Sequence, residues 1–306
     1  MPVDQAGRQD RGRGFGMTVF EDRFWSSRDG LKLHFRDYHV QKHDGSGARP
    51  PIVCLHGLTR NARDFEALAE RLSPRWRVIC PDMRGRGDSE YARDSASYNP
   101  VQYGEDLLEL LAQEQIDRFV AIGTSLGGLM TMGLATLIPE RIVAAVINDV
   151  GPFLEPQGVE RIKDYVGQGR SYPTWVHAAR ALEDNQGHAH PGQPLDFWIG
   201  RAKRLMTVSS AGRVVFDYDM KIAEPFLGYD VDDQPDLWPA WEALAGRPVL
   251  VLRGALSDLL SAATLEKMLR RLPGAEAITL ENVGHAPTLD EPEAIAAIDR
   301  LLAQSA

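Results

Sequence analysis

An α/β architecture, a mainly parallel sheet covered by helices on both faces, is the fold class this sequence predicts. Two observations carry it. Short apolar runs rich in β-branched residues alternate with segments of helical spacing along most of the 306 residues. That rhythm stops at about residue 153 and resumes at 248, and some 90 residues are too many for an ordinary loop. One large domain with a helical insertion therefore fits the length better than two equal domains.

Taken in order, residues 24–27 and 31–40 flank Asp29-Gly30 and read as a hairpin. Residues 42–51 form a polar turn before a buried strand at 51–55, which ends at His56-Gly57-Leu58. Phe65, Leu68, Ala69 and Leu72 recur at helical spacing, so 61–72 is a helix. A strand at 78–80 runs into Pro81-Asp82-Met83-Arg84-Gly85-Arg86-Gly87-Asp88-Ser89. Asn99-Pro100, a capping residue before proline at the first helical position, opens a helix to about Gln113. Strand 117–122, a glycine-rich turn and helix 129–138 follow, then strand 143–147 ending at Asn148-Asp149-Val150-Gly151-Pro152.

The interval 153–246 reads as several short helices bearing Trp175, Phe197, Trp198, Phe216, Phe226, Trp238 and Trp241, and is expected to be a lid subdomain. Strand 248–252, helix 262–272, strand 277–280 and helix 291–302 complete the chain. The core thus comprises 17–152 and 247–306, preceded by a polar tail at 1–16 without a hydrophobic signal core.

A formal charge of −9 and a pI near 5.4 speak against nucleic acid or an anionic membrane surface as partner. No apolar run approaches the ~20 residues of a transmembrane helix. Cys54 and Cys80 each sit inside an apolar run, as buried free thiols do, and this suits a reducing cytoplasm; a disulfide is the alternative.

The chemistry is written at Gly123-Thr124-Ser125-Leu126-Gly127-Gly128, between an apolar strand and an apolar helix. A serine at such a turn is lifted clear of the backbone on a strained bend, and glycines two before and two after are required because side chains there would collide. The helix that follows aims free N–H groups at whatever binds beside the serine. A serine hydroxyl needs a base. His285, in Gly284-His285-Ala286-Pro287 past the last strand, lies where ligands gather in an open α/β sheet. The imidazole in turn needs an acid. Asp258 follows the penultimate strand and is preferred; Asp149, at the end of the preceding strand, competes with it. The N–H groups of Leu58 and Leu126 form the expected oxyanion hole, while His56 is read as structural.

With these residues in place, the chain from about Phe20 onward resembles an α/β-hydrolase-fold serine hydrolase with a helical lid. Leu55-His56-Gly57, the 82–89 segment, Gly123 to Gly128, Gly254 to Asp258 and Gly284-His285 match the family's motifs in its order. The resemblance implies an eight-stranded, mostly parallel sheet with an antiparallel second strand, a lid after the sixth strand, and Ser125, His285 and Asp258 as triad. Relatives that cleave carbon–carbon bonds typically carry tryptophan after the catalytic histidine, where Ala286 stands here. Dehalogenases and epoxide hydrolases use aspartate where Ser125 stands.

The expected function is hydrolysis of a carboxylic ester of a small to medium, partly apolar molecule, without cofactor or metal. A lactonase or carbon–carbon hydrolase using the same triad, and a non-catalytic ligand-binding protein, are the alternatives. His188-Ala189-His190 is read as a surface loop, not a metal site, and Asp217 and Asp219 as a solvated turn. Arg84 and Arg86 are expected to hold their loop by ion pairs.

Overall fold

The structure is a computed structural model and describes residues 20–39 and 49–305. The 1–16 tail and most of the 42–51 turn lie outside these residues. Eight strands form the principal sheet: β1 (Glu21–Ser26), β2 (Lys32–Tyr38), β3 (Ile52–Leu55), β4 (Val78–Pro81), β5 (Phe119–Thr124), β6 (Ile142–Asn148), β10 (Val249–Gly254) and β11 (Ala275–Leu280). Their spatial order is β1-β2-β4-β3-β5-β6-β10-β11. Strand β2 runs antiparallel to both neighbours, and the pairs from β4 onward are parallel.

The central strands read as continuous apolar runs because both faces are covered. Their two-residue period then sorts side chains into two cores. Val53, Leu55, Ala121, Val249 and Val251 pack with α2 (Pro100–Gln113), α3 (Leu126–Leu137) and α9 (Ala262–Arg271). Ile52, Cys54, Val120, Ile122, Leu250 and Leu252 face α1 (Glu66–Leu72) and α10 (Pro292–Ala303). Each fully buried Leu, Ile or Val contributes about 1.5–3 kcal/mol. Asn99 caps α2 as its sequence implies, its side chain accepting from the Gln102 N–H.

Between β6 and β10 lie α4 (Pro156–Tyr165), α5 (Trp175–Gln186), α6 (Leu195–Leu205), α7 (Ala223–Leu227) and α8 (Trp238–Glu242). They are joined by a small antiparallel sheet of β7 (Ser171–Tyr172), β8 (Met206–Val208) and β9 (Val214–Phe216), which the sequence did not announce because its strands are only two or three residues long. Trp198 centres a separate cluster with α5, whereas Trp241 of α8 belongs to the principal core and donates its indole N–H to the Met268 carbonyl. No helix among the described residues is long and apolar enough to cross a membrane.

Asp217 and Asp219 are buried, not solvated. Arg63 Nη2 donates to Asp217 at 2.7 Å, and the Tyr98 hydroxyl donates to Asp219 at 2.6 Å, tying the insertion to the core.

A second polar clamp holds β2 to the end of β4. His34 places Nδ1 2.7 Å from Asp82 and Nε2 2.9 Å from Asp22, while Asp82 also accepts from the N–H groups of Ala62 and Asp88. Burial opposes the imidazolium, but the two carboxylates outweigh it and raise His34 to about 9. Burial opposes the Asp82 carboxylate as well, yet His34 and the N–H donors hold it down at about 2. The pair's stabilisation is fully present between the ordinary values of 3.8 and 6.5, and is lost as pH rises through about 9 or falls through about 2. His34→Gln should therefore cost on the order of 3–5 kcal/mol near pH 6 and flatten the alkaline decline in urea-unfolding stability between pH 7 and 9.5. An unaltered alkaline slope in the variant would refute this reading.

Candidate active site

Strand β5 delivers Ser125 to a turn where its backbone adopts φ 54° and ψ −117°, a region that favours glycine and is strained for serine. Both flanking glycines are needed, but only Gly123 for the expected collision across the bend; Gly127 is needed for the approach to β3. A Cβ on Gly123 would strike the Gly127 carbonyl, and one on Gly127 would strike the Leu55 carbonyl of β3. Leu126 opens α3, so its N–H has no helical acceptor.

His285 sits between β11 and α10, with Nε2 3.0 Å from Ser125 Oγ. Its Nδ1 lies 2.8 Å from Asp149 Oδ2. The carboxylate on the imidazole is therefore Asp149 and not Asp258. Asp149 is fully buried at the end of β6, where Oδ1 accepts the Gly254 N–H at 2.8 Å and Oδ2 also accepts the Ser257 hydroxyl at 2.7 Å. Asp258 turns away to Arg161 of α4, whose Nε and Nη2 both donate to it, the latter at 2.8 Å. Burial opposes the Asp258 charge, but Arg161 holds its carboxyl below the usual range. The expected assignment of Asp258 as acid is corrected on this ground: its oxygens are committed to a guanidinium.

Two supporting residues were not singled out from the sequence. Ser257 fixes Asp149 from the β10 side. Asn148, also buried, donates through Nδ2 to Thr124 Oγ1 and to the Pro287 carbonyl, both at 3.0 Å, and so ties the serine strand to the histidine loop.

Leu58, expected as an oxyanion donor, follows Gly57, where a Cβ would lie 3.5 Å from Ser125 Cβ. Arg86 Nε donates to the Leu58 carbonyl at 2.9 Å and holds this turn, so among the described residues Arg86 acts on backbone oxygens and not through an ion pair. Arg84 does form ion pairs, bidentate with both Asp106 and Asp29. His56 is structural as expected. Its Nδ1 donates to the Gly57 carbonyl, its Nε2 accepts the Met83 N–H, and burial first, then Arg86, pushes it down to about 4.

His188 is exposed, but His190 is buried against Phe197 and Trp198, so the expected surface loop is surface only in part. Among the described residues, His34, Asp82 and Asp88 alone bring three metal-ligating side chains within 4.8 Å of one another. Both His34 nitrogens and both Asp82 oxygens are engaged in the clamp described above, which leaves them poor ligands.

A strained serine, an imidazole within hydrogen-bond distance and a buried carboxylate behind it form an array suited to nucleophilic attack on a carbonyl. Comparison with known proteins agrees with the fold. The chain matches the alpha/beta hydrolase family over residues 52–298. It is 36% identical over 271 residues to a 3-hydroxybutyrate-oligomer hydrolase of Cupriavidus necator, covering 86% of this chain and 91% of that one. It is 27% identical over 247 residues to a 2-(acetamidomethylene)succinate hydrolase of Mesorhizobium japonicum, covering 81% and 85% respectively. A crystal structure of an alpha/beta hydrolase from Novosphingobium aromaticivorans superposes with a TM-score of 0.89 at 60% identity, covering 94% of this chain and all of that one. By its fold, its motifs and the extent of these matches, the chain belongs to the alpha/beta hydrolase family.

Proposed function

We propose that the protein hydrolyses carboxylic esters of small to medium, partly apolar molecules, with Ser125, His285 and Asp149 as its triad. The observation that carries this reading is the pair of contacts on His285, 3.0 Å to Ser125 and 2.8 Å to Asp149. Ser125 Oγ attacks the ester carbonyl carbon as its proton passes to His285 Nε2. The N–H groups of Leu58 and Leu126 stabilise the resulting oxyanion, each by roughly 3 kcal/mol. The carbon–oxygen bond to the alcohol then breaks, and His285 protonates the leaving oxygen. Water, deprotonated by His285, attacks the acyl-Ser125 carbonyl and releases the acid. Asp149 stays ionised throughout and holds the Nδ1–H tautomer.

Similarity to a 3-hydroxybutyrate-oligomer hydrolase supports this reading, because oligomers of a hydroxy acid are joined by ester bonds. A small-molecule ester or lactone as partner in place of nucleic acid or membrane, no cofactor and a cytoplasmic setting belong to the same proposal. Free, buried Cys54 and Cys80 favour the last of these.

A fluorophosphonate probe followed by peptide mass spectrometry tests the nucleophile, with a covalent adduct expected on Ser125. Turnover of an aryl ester, a lactone and a dienoic ketone tests the reaction class, and the ester should be fastest. Absence of both adduct and turnover would leave a ligand-binding protein without catalysis.

A further inference from the structure

Three arginines converge beside the candidate active site with a single acid among them. Arg60 follows the Leu58 turn, and Arg201 and Arg204 project from α6. Together with Asp64, Thr124 and Pro287 they line a narrow cleft of about 10 Å³, the space of one water. Asp64 pairs with Arg60 at 3.0 Å and, by charge, is held below its ordinary value against burial by all three arginines.

That one carboxylate does not satisfy them. Arg201 is 2% exposed, yet its only hydrogen bond among the described residues runs from Nε to Gln186 Oε1. Burial, then Arg60, pushes Arg201 down to about 9. The Arg204 guanidinium forms no hydrogen bond or ion pair among the described residues, although Asp290 and Glu291 share with it the wall of an adjoining cavity of about 360 Å³. His190, on that same wall, has a buried Nε2 without a hydrogen-bond partner among the described residues. Gln186 occupies one N–H of Arg201, but a neutral amide does not balance a buried cation, and the cluster as it stands implies an anion that completes the site.

The cluster is close to the nucleophile. A Cβ on Gly57 would lie 3.5 Å from Ser125 Cβ and 3.6 Å from Arg60 Cδ, so these side chains are within about 7 Å of each other across the glycine. Thr124 and Pro287 flank Ser125 and His285 in sequence and line the arginine cleft.

We propose that Arg60, Arg201 and Arg204 form a subsite for a free carboxylate of the substrate, so that the preferred esters are those of acids or hydroxy acids bearing a second, ionised carboxyl group. Naming the substrate this way rests on the ester-hydrolase reading; the anion site itself does not. Guanidinium groups bind carboxylates through paired, charge-assisted hydrogen bonds. Arg204, half-buried and unpaired, is the member free to swing and widen the narrow cleft as the anion enters.

The kinetic test compares 3-acetoxybutyrate and monomethyl succinate with their methyl esters, which carry the carboxylate on the alcohol side, on the acyl side, or nowhere. One of the anionic esters should exceed its neutral counterpart by roughly ten- to hundred-fold in kcat/KM, through KM, and Arg204→Gln and Arg60→Gln should bring that ratio toward one. Hydrolysis of the methyl esters with no charge preference would overturn the subsite and leave the ester-hydrolase reading standing.

A binding test needs no chemistry. Calorimetry of 3-hydroxybutyrate and succinate on the Ser125→Ala protein should show binding of at least one that weakens with salt and is lost when Arg204→Gln is added. Lack of binding by both at millimolar concentration overturns the subsite whatever the enzyme hydrolyses; binding without turnover of any ester overturns the hydrolase reading instead. Arg201→Gln separates a binding role from a structural one. It should weaken binding while raising Tm, because it removes a buried cation whose nearest carboxylate, Asp64, is shared with Arg60 and Arg204. A lower Tm with binding retained would mark Arg201 as structural and refute its place in the site.

Discussion

Ser125→Ala is expected to lower kcat for ester hydrolysis by on the order of 10⁴ to 10⁶-fold while leaving thermal stability close to that of the parent protein. The two halves of this expectation have separate physical grounds. Among the described residues Ser125 Oγ makes one hydrogen bond, 3.0 Å to His285 Nε2, so removing it deletes one interaction in a site where water can replace it. Alanine keeps the Cβ, and so keeps the φ 54° bend and its strain as they are. Activity falls because no other hydroxyl among the described residues is hydrogen-bonded to His285, and what remains is whatever the oxyanion donors achieve with water as nucleophile. Stopped-flow turnover of a p-nitrophenyl ester, with a melting curve on the same sample, provides the check. Retention of more than a tenth of the parent activity would remove Ser125 from the mechanism.

The strands, the strand-to-helix turn and the histidine loop were legible in the sequence because their causes are local. Apolar runs with β-branched residues make buried strands, and Gly123 answers to a collision with the Gly127 carbonyl four residues on, whereas Gly127 answers to the distant Leu55 carbonyl of β3 and was legible only through the motif. The acid was not legible. Asp149 and Asp258 follow β6 and β10, which are neighbours in the sheet, and both precede His285 in the chain, so order alone cannot choose between them. What decides is Arg161, 97 residues before Asp258, which claims that carboxylate from the insertion. Asp217 and His190 were misread for the same kind of reason. A polar residue in a polar stretch looks solvated until a distant element, Arg63 of the core or the aromatic face of α6, covers it.

The pair Asp149→Asn and Asp258→Asn tests this assignment most sharply. Asp149→Asn should reduce kcat by on the order of 10⁴-fold. Of the two Asp149 oxygens, Oδ1 receives the buried Gly254 N–H and Oδ2 receives the Ser257 hydroxyl and His285 Nδ1. In asparagine the one remaining oxygen must serve Gly254, since an NH₂ group there would leave two donors facing each other. The NH₂ then faces His285 and donates to Nδ1, which forces the imidazole proton onto Nε2, the atom that has to accept from Ser125. Asp258→Asn disturbs no contact of the imidazole. It weakens a partly exposed ion pair with Arg161, so the expected result is a loss of about 1–3 kcal/mol in unfolding stability and activity within about tenfold of the parent. Single-turnover kinetics and urea unfolding of both variants separate the two effects, and a greater kcat loss for Asp258→Asn than for Asp149→Asn would return the catalytic role to Asp258.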